Sequence, residues 1–218
     1  FTTLAAPDRL WVNSKARSIV MLALDHLVIC TEDLETGAQE VSEKLGAPLE
    51  DGGRHAVFGT HSKLLSLGSD TYLKIIAKDP GSAAPRRARW FGLDDFAGPM
   101  RVANWVVRSN ELSHLISLGA AGPGSPMATS RYGLRWTMVV PDDGRLELDG
   151  IAPTLIEWRG GTHPCQSLPD QNVRLTTLKL QHPDVTTSYL PDDPRVETQK
   201  GPNLISATFE TTSGPVSL

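Results

Sequence analysis

Apolar residues fall mostly in short alternating runs, with one clear change of period. Leu22 to Thr31 (LALDHLVICT) carries Leu, Val and Ile at strand spacing, which predicts a buried strand. Asp33 then stands where a helix N-cap is wanted. Leu34, Ala38, Val41 and Leu45 follow at helical steps, forming one apolar face, and Gly46 is placed for a left-handed C-terminal cap. Short strands are predicted near His55 to Phe58, at Lys63 to Leu67 and at Thr71 to Lys78, the last two parted by a turn at Gly68, Ser69 and Asp70. The order is strand, helix, strand, strand, strand.

Asp79 to Met100 is richer in Pro, Gly, Ala and charge and reads as a linker. After it the order recurs. Val102 to Arg108 is a strand, Glu111 to Leu118 a short helix closed by Gly119, and Ala120 to Ser130 a loop dense in Gly, Pro and Ser. Leu134 to Val140 and Thr154 to Trp158 are strands, with Arg145 to Leu148 a further candidate. This weak internal repeat is the main organisational feature. A third stretch opens at Val173 (VRLTTLKLQHPD) as a strand with no long helix after it. The chain then ends in a hairpin, Leu204 to Thr211 and Pro215 to Leu218, turning at Ser213-Gly214.

The expected class is α+β: paired βαβββ modules with a C-terminal β-hairpin appendage. The divisions are an extension at 1–20, a first module at 21–80, a linker at 81–100, a second module at 101–160 and the appendage at 161–218. The extension reads either as a segment foreign to the domain or as a native arm packed on its surface.

Composition narrows the function only by exclusion. The 218 residues are 39% hydrophobic and 21% charged with a net charge of -4, an ordinary globular balance with no field to attract nucleic acid or an anionic membrane. No apolar stretch approaches the roughly 20 residues that cross a bilayer. Two cysteines, Cys30 and Cys165, are too few for a disulfide framework, so a cytoplasmic setting is expected. No P-loop or dinucleotide-binding glycine pattern follows a strand, and there is no nucleophile elbow. PRRARW (Pro85 to Trp90) is basic, but Asp94 and Asp95 follow it, so a solvated linker is expected rather than a nucleic-acid surface. The cysteines carry no nucleophile context, and Cys30 is expected to pack as a small hydrophobe.

Several segments in order carry a family resemblance. They are LDHLVICTEDLETGAQEVSEKLG (Leu24 to Gly46), GGRH (Gly52 to His55), GTHSKLLSLG (Gly59 to Gly68) and YLKIIAKDP (Tyr72 to Pro80), then NWVVRS (Asn104 to Ser109), GLRW (Gly133 to Trp136), LIEW (Leu155 to Trp158) and HPCQSLP (His163 to Pro169). Together they resemble the glyoxalase-like domain family of the vicinal oxygen chelate (glyoxalase, bleomycin resistance, dioxygenase) superfamily, over roughly residues 22 to 218. The resemblance implies two βαβββ modules that form a curved mixed or antiparallel sheet around a cavity, into which the first and last strands of each module send metal ligands. Carried over by position, those slots are His26, Lys74, Asn104 and Glu157. The pairs lie 48 residues apart in the first module and 53 in the second.

The chemistry of these slots departs from the family's pattern. Imidazole and carboxylate suit a divalent metal, so His26 and Glu157 are sound metal ligands. Lys74 has donors and no lone pair when protonated, and Asn104 offers a weak carbonyl at best. The site is therefore incomplete and the cofactor is left open, a divalent metal being the one implied. Lys74 is expected to face Glu157 and to stand in part for the cation, holding an anionic or carbonyl-bearing ligand. Its stem could equally lie on the outer strand face. His26, Asn104 and Glu157 likewise have structural readings beside their functional ones. His61 and His55 are candidate proton carriers near a glycine-flanked turn, or merely turn hydrogen bonders. Arg135 beside Trp136 is the favoured anion-gripping arginine over Arg54 and Arg131, and Trp105 is a candidate ligand contact. His163 is a motif residue with a structural role as its alternative.

Two functions follow. One is an enzyme of lyase, isomerase, hydrolase or dioxygenase type acting on a small oxygenated molecule, with His26, His61 and Glu157 as catalytic groups. The alternative is a non-catalytic binding protein of the resistance type. The expected partner is a small molecule, not nucleic acid or membrane, and a homodimer is one assembly the resemblance allows.

Overall fold

The computed structural model describes residues 20–185 and 190–218, so the expected extension at 1–20 lies outside the described residues except for Val20. The first repeat is β1 (Leu22–Cys30), α1 (Leu34–Leu45), β2 (Glu50–His55), β3 (Thr60–Ser66) and β4 (Tyr72–Lys78). The second is β5 (Arg101–Ser109), α2 (Leu112–Ser117), β6 (Ser125–Arg131), β7 (Leu134–Val140) and β8 (Thr154–Arg159). The helix signals act as read. Asp33 accepts the Thr36 amide at 2.8 Å, and Gly46 closes α1 at φ 64°, a conformation that costs a residue with a Cβ about 1 kcal/mol.

Eight strands form one curled sheet in the order β2-β3-β4-β1-β5-β8-β7-β6. Within each repeat the first strand pairs in parallel with the last, β1 with β4 and β5 with β8, and the repeats join through the antiparallel β1–β5 pair. The C-terminal strands β9 (Arg174–Gln181), β10 (Val196–Gln199), β11 (Leu204–Thr211) and β12 (Gly214–Ser217) make a second sheet in the order β10-β9-β11-β12. The class is α+β. The appendage is larger than the expected hairpin, because β9 and β10 pair in parallel on its far side.

The strands alternate between two apolar clusters, as a pleated sheet buried on both faces requires. One face packs Leu27, Ile29, Leu73, Ile75, Trp105 and Leu155 against the helices and the C-terminal sheet. The concave face gathers Val28, Ile76, Val106, Trp136, Met138 and Ile156 with Trp90, Phe91 and Leu93. The segment expected to be a solvated linker thus fills part of the hollow. Trp90 stacks on Phe58 at 4.0 Å and donates its Nε1–H to Thr60 Oγ1 at 3.1 Å.

Other departures have local causes. The Gly/Pro/Ser loop contains β6, an edge strand paired with β7 through a turn in which Tyr132 and Gly133 both have positive φ, 49° and 82°, the tight turn that matches strand twist. Arg145 to Leu148 is not a strand; it leads into a 3-10 turn at Glu147–Gly150. The outer edges of the two repeats meet. A Cβ on Gly53 of β2 would stand 2.8 Å from the Tyr132 ring, and Arg131 reaches His55.

Candidate functional site

The concave face carries a buried polar cluster seeded by a backbone irregularity in β1. The β1–β5 register shifts between Leu24 and His26, and a bulge of this kind re-aims side chains that strict alternation would separate. Asp25 and His26, adjacent in the chain, are therefore hydrogen-bonded to each other, Asp25 Oδ1 to His26 Nδ1 at 2.6 Å, with both residues almost wholly buried. The second carboxylate oxygen accepts the Trp158 Nε1–H at 2.8 Å and His163 Nε2–H at 3.1 Å. His163 Nδ1 in turn accepts the Cys165 amide, which fixes its tautomer.

Burial acts to raise the Asp25 carboxyl, but the hydrogen bonds from His163 and His26 outweigh it and hold the group far below the usual carboxylate range. Burial pushes the His26 imidazole down to about 4 despite the pull of Asp25, with the Lys74 charge adding to the fall. His26 is thus neutral at physiological pH. Its Nδ1–H points to Asp25, its ring stacks on Tyr72 at 4.4 Å, and its buried Nε2 has no protein partner. A buried acceptor without a partner costs about 1–3 kcal/mol, so this lone pair is the natural contact for a ligand hydrogen.

Lys74 lies two residues along β4 from Tyr72, the register partner of His26, which puts it on the same face roughly 7 Å further on. Its Nζ stands 4.6 Å from the Trp90 ring centroid and 5.7 Å from that of Phe91. Burial pushes the ammonium down to about 7, the Arg131 charge adding to the effect. Arg131 comes from β6 on the far edge and donates to His55 Nε2, while its own buried Nε is unpartnered. Burial, then Lys74 and Arg131, hold His55 well below the ordinary histidine range. Among the described residues, no carboxylate lies within ion-pair distance of Lys74 or Arg131. Ser62, which faces this side opposite Ile76, adds a third unpartnered buried atom, its Oγ.

Several expected site residues lie elsewhere. Glu157 sits between Ile156 and Trp158, which pack on the concave face, so alternation turns it to the other side, where it lies 3.6 Å from Arg159. The expected Lys74–Glu157 pairing does not exist. Arg135 is exposed, two residues from Thr137, the partner of Glu157 across β7–β8, and shares that outer side. His61 pairs with Ala77, a residue of the helix-covered face; it is His55 that turns inward, onto Trp90 at 4.7 Å. Arg54 is held by Asp79 at 2.8 Å. Trp105 is fully buried in the helix-side core and donates to the Ile151 carbonyl at 2.8 Å.

Asn104 is committed to structure. Its amide donates to the Gly150 and Ala152 carbonyls, both at 3.0 Å, and accepts from Thr154 Oγ1 at 2.8 Å. Asn104→Ala is expected to lower stability by about 2–3 kcal/mol, because two carbonyls lose their donors at the entry to β8. Urea denaturation measures this; a loss under half a kilocalorie contradicts the role.

This donor set does not fit a divalent metal. His26 offers one lone pair, Lys74 one only when it is deprotonated, the Asn104 amide is spent, and Glu157 is on the wrong side of the sheet. Among the described residues no group of three or more His, Cys, Asp or Glu converges to hold a metal ion. Cys30 and Cys165 are free thiols, and burial pushes each up to about 12, far from a thiolate nucleophile. Sequence reading passed over Asp25, Tyr72 and Trp158. The one available sign was an acidic residue inside an apolar run, LALDHLVI.

Two βαβββ repeats joined edge to edge into a curled sheet, with a polar cluster on the concave side, make up a paired-module architecture. The chain belongs to the glyoxalase-like domain family, which its sequence matches over residues 24–189. A hypothetical protein from Staphylococcus aureus has a similar structure, at TM-score 0.55 and 13% identity, covering 83% of this chain and 86% of that one. Methylmalonyl-CoA epimerase from Mycobacterium tuberculosis matches at TM-score 0.42 and 20% identity, covering 62% and 85%. Identities this low report fold and not chemistry. No curated protein sequence matches the chain significantly. Among the described residues no helix is long and apolar enough to cross a membrane.

Proposed function

We propose that this protein binds a small oxygenated anion, of the hydroxy- or oxo-acid class, on the concave face and without a divalent metal. The observation that carries this is a buried lysine, Lys74, near a half-buried arginine, Arg131, neither with a carboxylate within ion-pair distance among the described residues. Burying an uncompensated charge costs several kcal/mol, and an anion seated between them removes that cost. Arg131 presents a planar fork suited to a carboxylate. His26 Nε2, held as an acceptor by Asp25, takes the hydrogen of a ligand hydroxyl.

The same geometry distributes the chemistry. His26, near 4, is too weak a base to hold a proton at neutral pH and serves to orient the ligand. Lys74, near 7, is balanced between its two forms and can accept or release a proton. Thermal denaturation tests the binding. Lactate at a hundredfold excess over its Kd is expected to add about 2.7 kcal/mol of stability, beyond a chloride control of equal ionic strength. Arg131→Met is expected to lose that increment. An equal lactate effect on both proteins sinks the assignment.

A further inference from the structure

We infer that Lys74 is a covalent-catalytic nucleophile whose Nζ forms an imine with the carbonyl carbon of a small 2-oxo acid bound on the concave face. The inference rests on the anion site proposed above and names its reacting atom. A lysine suited to this chemistry must be sheltered from water, free of a carboxylate that would lock it as an ammonium, and beside a second cation. Lys74 meets all three conditions. It is 6% exposed, its Nζ lies on the Trp90 face, and its charged neighbour is Arg131. Three other lysines are engaged differently: Lys44 with Glu40, Lys63 with Glu35, and Lys78 with the Asp94 carbonyl.

The spacing suits a short ligand. His26 and Lys74 stand on adjacent strands of one face, separated by roughly 7 Å along the strand direction, a span that a three-carbon acid can bridge. With its carboxylate on Arg131, a 2-oxo acid can offer C2 to Lys74, and the hydroxyl formed there from its carbonyl oxygen can donate to His26 Nε2. The neutral amine then attacks C2 and forms the C–N bond, while the carbonyl pair moves to oxygen. That oxygen takes one proton from the nitrogen, giving a carbinolamine. Loss of the hydroxyl with the second nitrogen proton releases water and leaves the C=N bond. No oxidant, reductant or metal enters. With its pKa lowered to about 7, a substantial share of Lys74 is neutral at pH 7, whereas an ordinary lysine is neutral in about one molecule in three thousand.

The test uses pyruvate as the probe, with borohydride to reduce any imine, followed by peptide mass mapping. Labelling is expected at Lys74 on the order of a hundredfold faster than at any other lysine, and it is expected to vanish in Lys74→Arg. Arginine cannot form the imine, and the circular dichroism of the variant checks that it is folded. Uniform labelling of surface lysines overturns the inference. Lactate stabilisation of the wild type with no adduct at Lys74 overturns the imine and leaves the anion site standing. Neither stabilisation nor adduct removes both.

Discussion

Lys74→Met is expected to raise stability at pH 7 by about 2–4 kcal/mol while weakening lactate binding about tenfold to a hundredfold. The side chain is buried and bounded by Trp90, Phe91, Val28 and Ile76, surroundings in which a thioether of similar length packs without desolvating a charge. The folded pKa of about 7 lies below the ordinary 10.5, so the unfolded chain binds more protons between those values. The full native stability is therefore present above pH 10.5 and is lost as pH falls toward 7. The advantage of methionine should be largest at or below pH 7 and shrink as pH rises toward 10.5. Urea denaturation at pH 7 and pH 9.5 reads both features. A destabilised methionine variant, or a gain that does not shrink at high pH, would show that Lys74 is not a stressed buried cation. A residue that lowers stability at a site where an apolar one fits is the expected signature of function.

Asp25→Asn is expected to be the most damaging conservative change in the chain, costing about 3–5 kcal/mol and reversing the role of His26. The carboxylate accepts from His26, Trp158 and His163, with Arg108 at 3.8 Å. An amide of the same shape offers one oxygen and brings two new hydrogens into a site already full of donors. The imidazole can then pair with that amide by accepting at Nδ1, which moves its own proton to Nε2. The atom facing the ligand becomes a donor, and hydroxy-acid binding should fall more than the stability loss alone explains. Nitrogen NMR of the imidazole reports the tautomer directly, and an unchanged Nδ1–H form in the variant counts against this account.

His26 itself sets an acid limit. Its folded pKa of about 4 lies below the ordinary 6.5, so its contribution is complete above pH 6.5 and is lost as pH falls toward 4, by about 3 kcal/mol. His26→Gln is expected to remove most of that slope.

Much of the fold was legible in the sequence because it depends on local pattern. The α1 stripe from Leu34 to Leu45, bounded by Asp33 and Gly46, and the alternating runs of β1, β4, β5 and β7 were read close to their positions. Strands without an apolar signature were not. β6 is a polar edge strand containing Pro126, and β10 has only Val196 to mark it; both exist because a neighbouring strand supplies their hydrogen bonds. The site was legible in part. His26 and Lys74 share the concave face as the positional carry-over required, but Glu157 fails by one step of alternation, since Trp158 takes the inward place. Asn104 lies at the expected strand position, yet a neighbouring loop consumes its amide.

The doubt about a metal began with one residue, Lys74, and that much the sequence determined by itself: an ammonium is no ligand wherever it points. Hydrophobic period likewise determined the two repeats, since strand and helix periodicities are properties of neighbouring residues. What surrounds Lys74 was decided only by the tertiary structure. A bulge in β1 turned Asp25 and His26 into one buried pair, the curl of the sheet brought Arg131 across from the far edge, and the linker supplied Trp90 as a floor. These contacts join residues tens of positions apart through backbone register and sheet curvature, which no local pattern of residue types encodes.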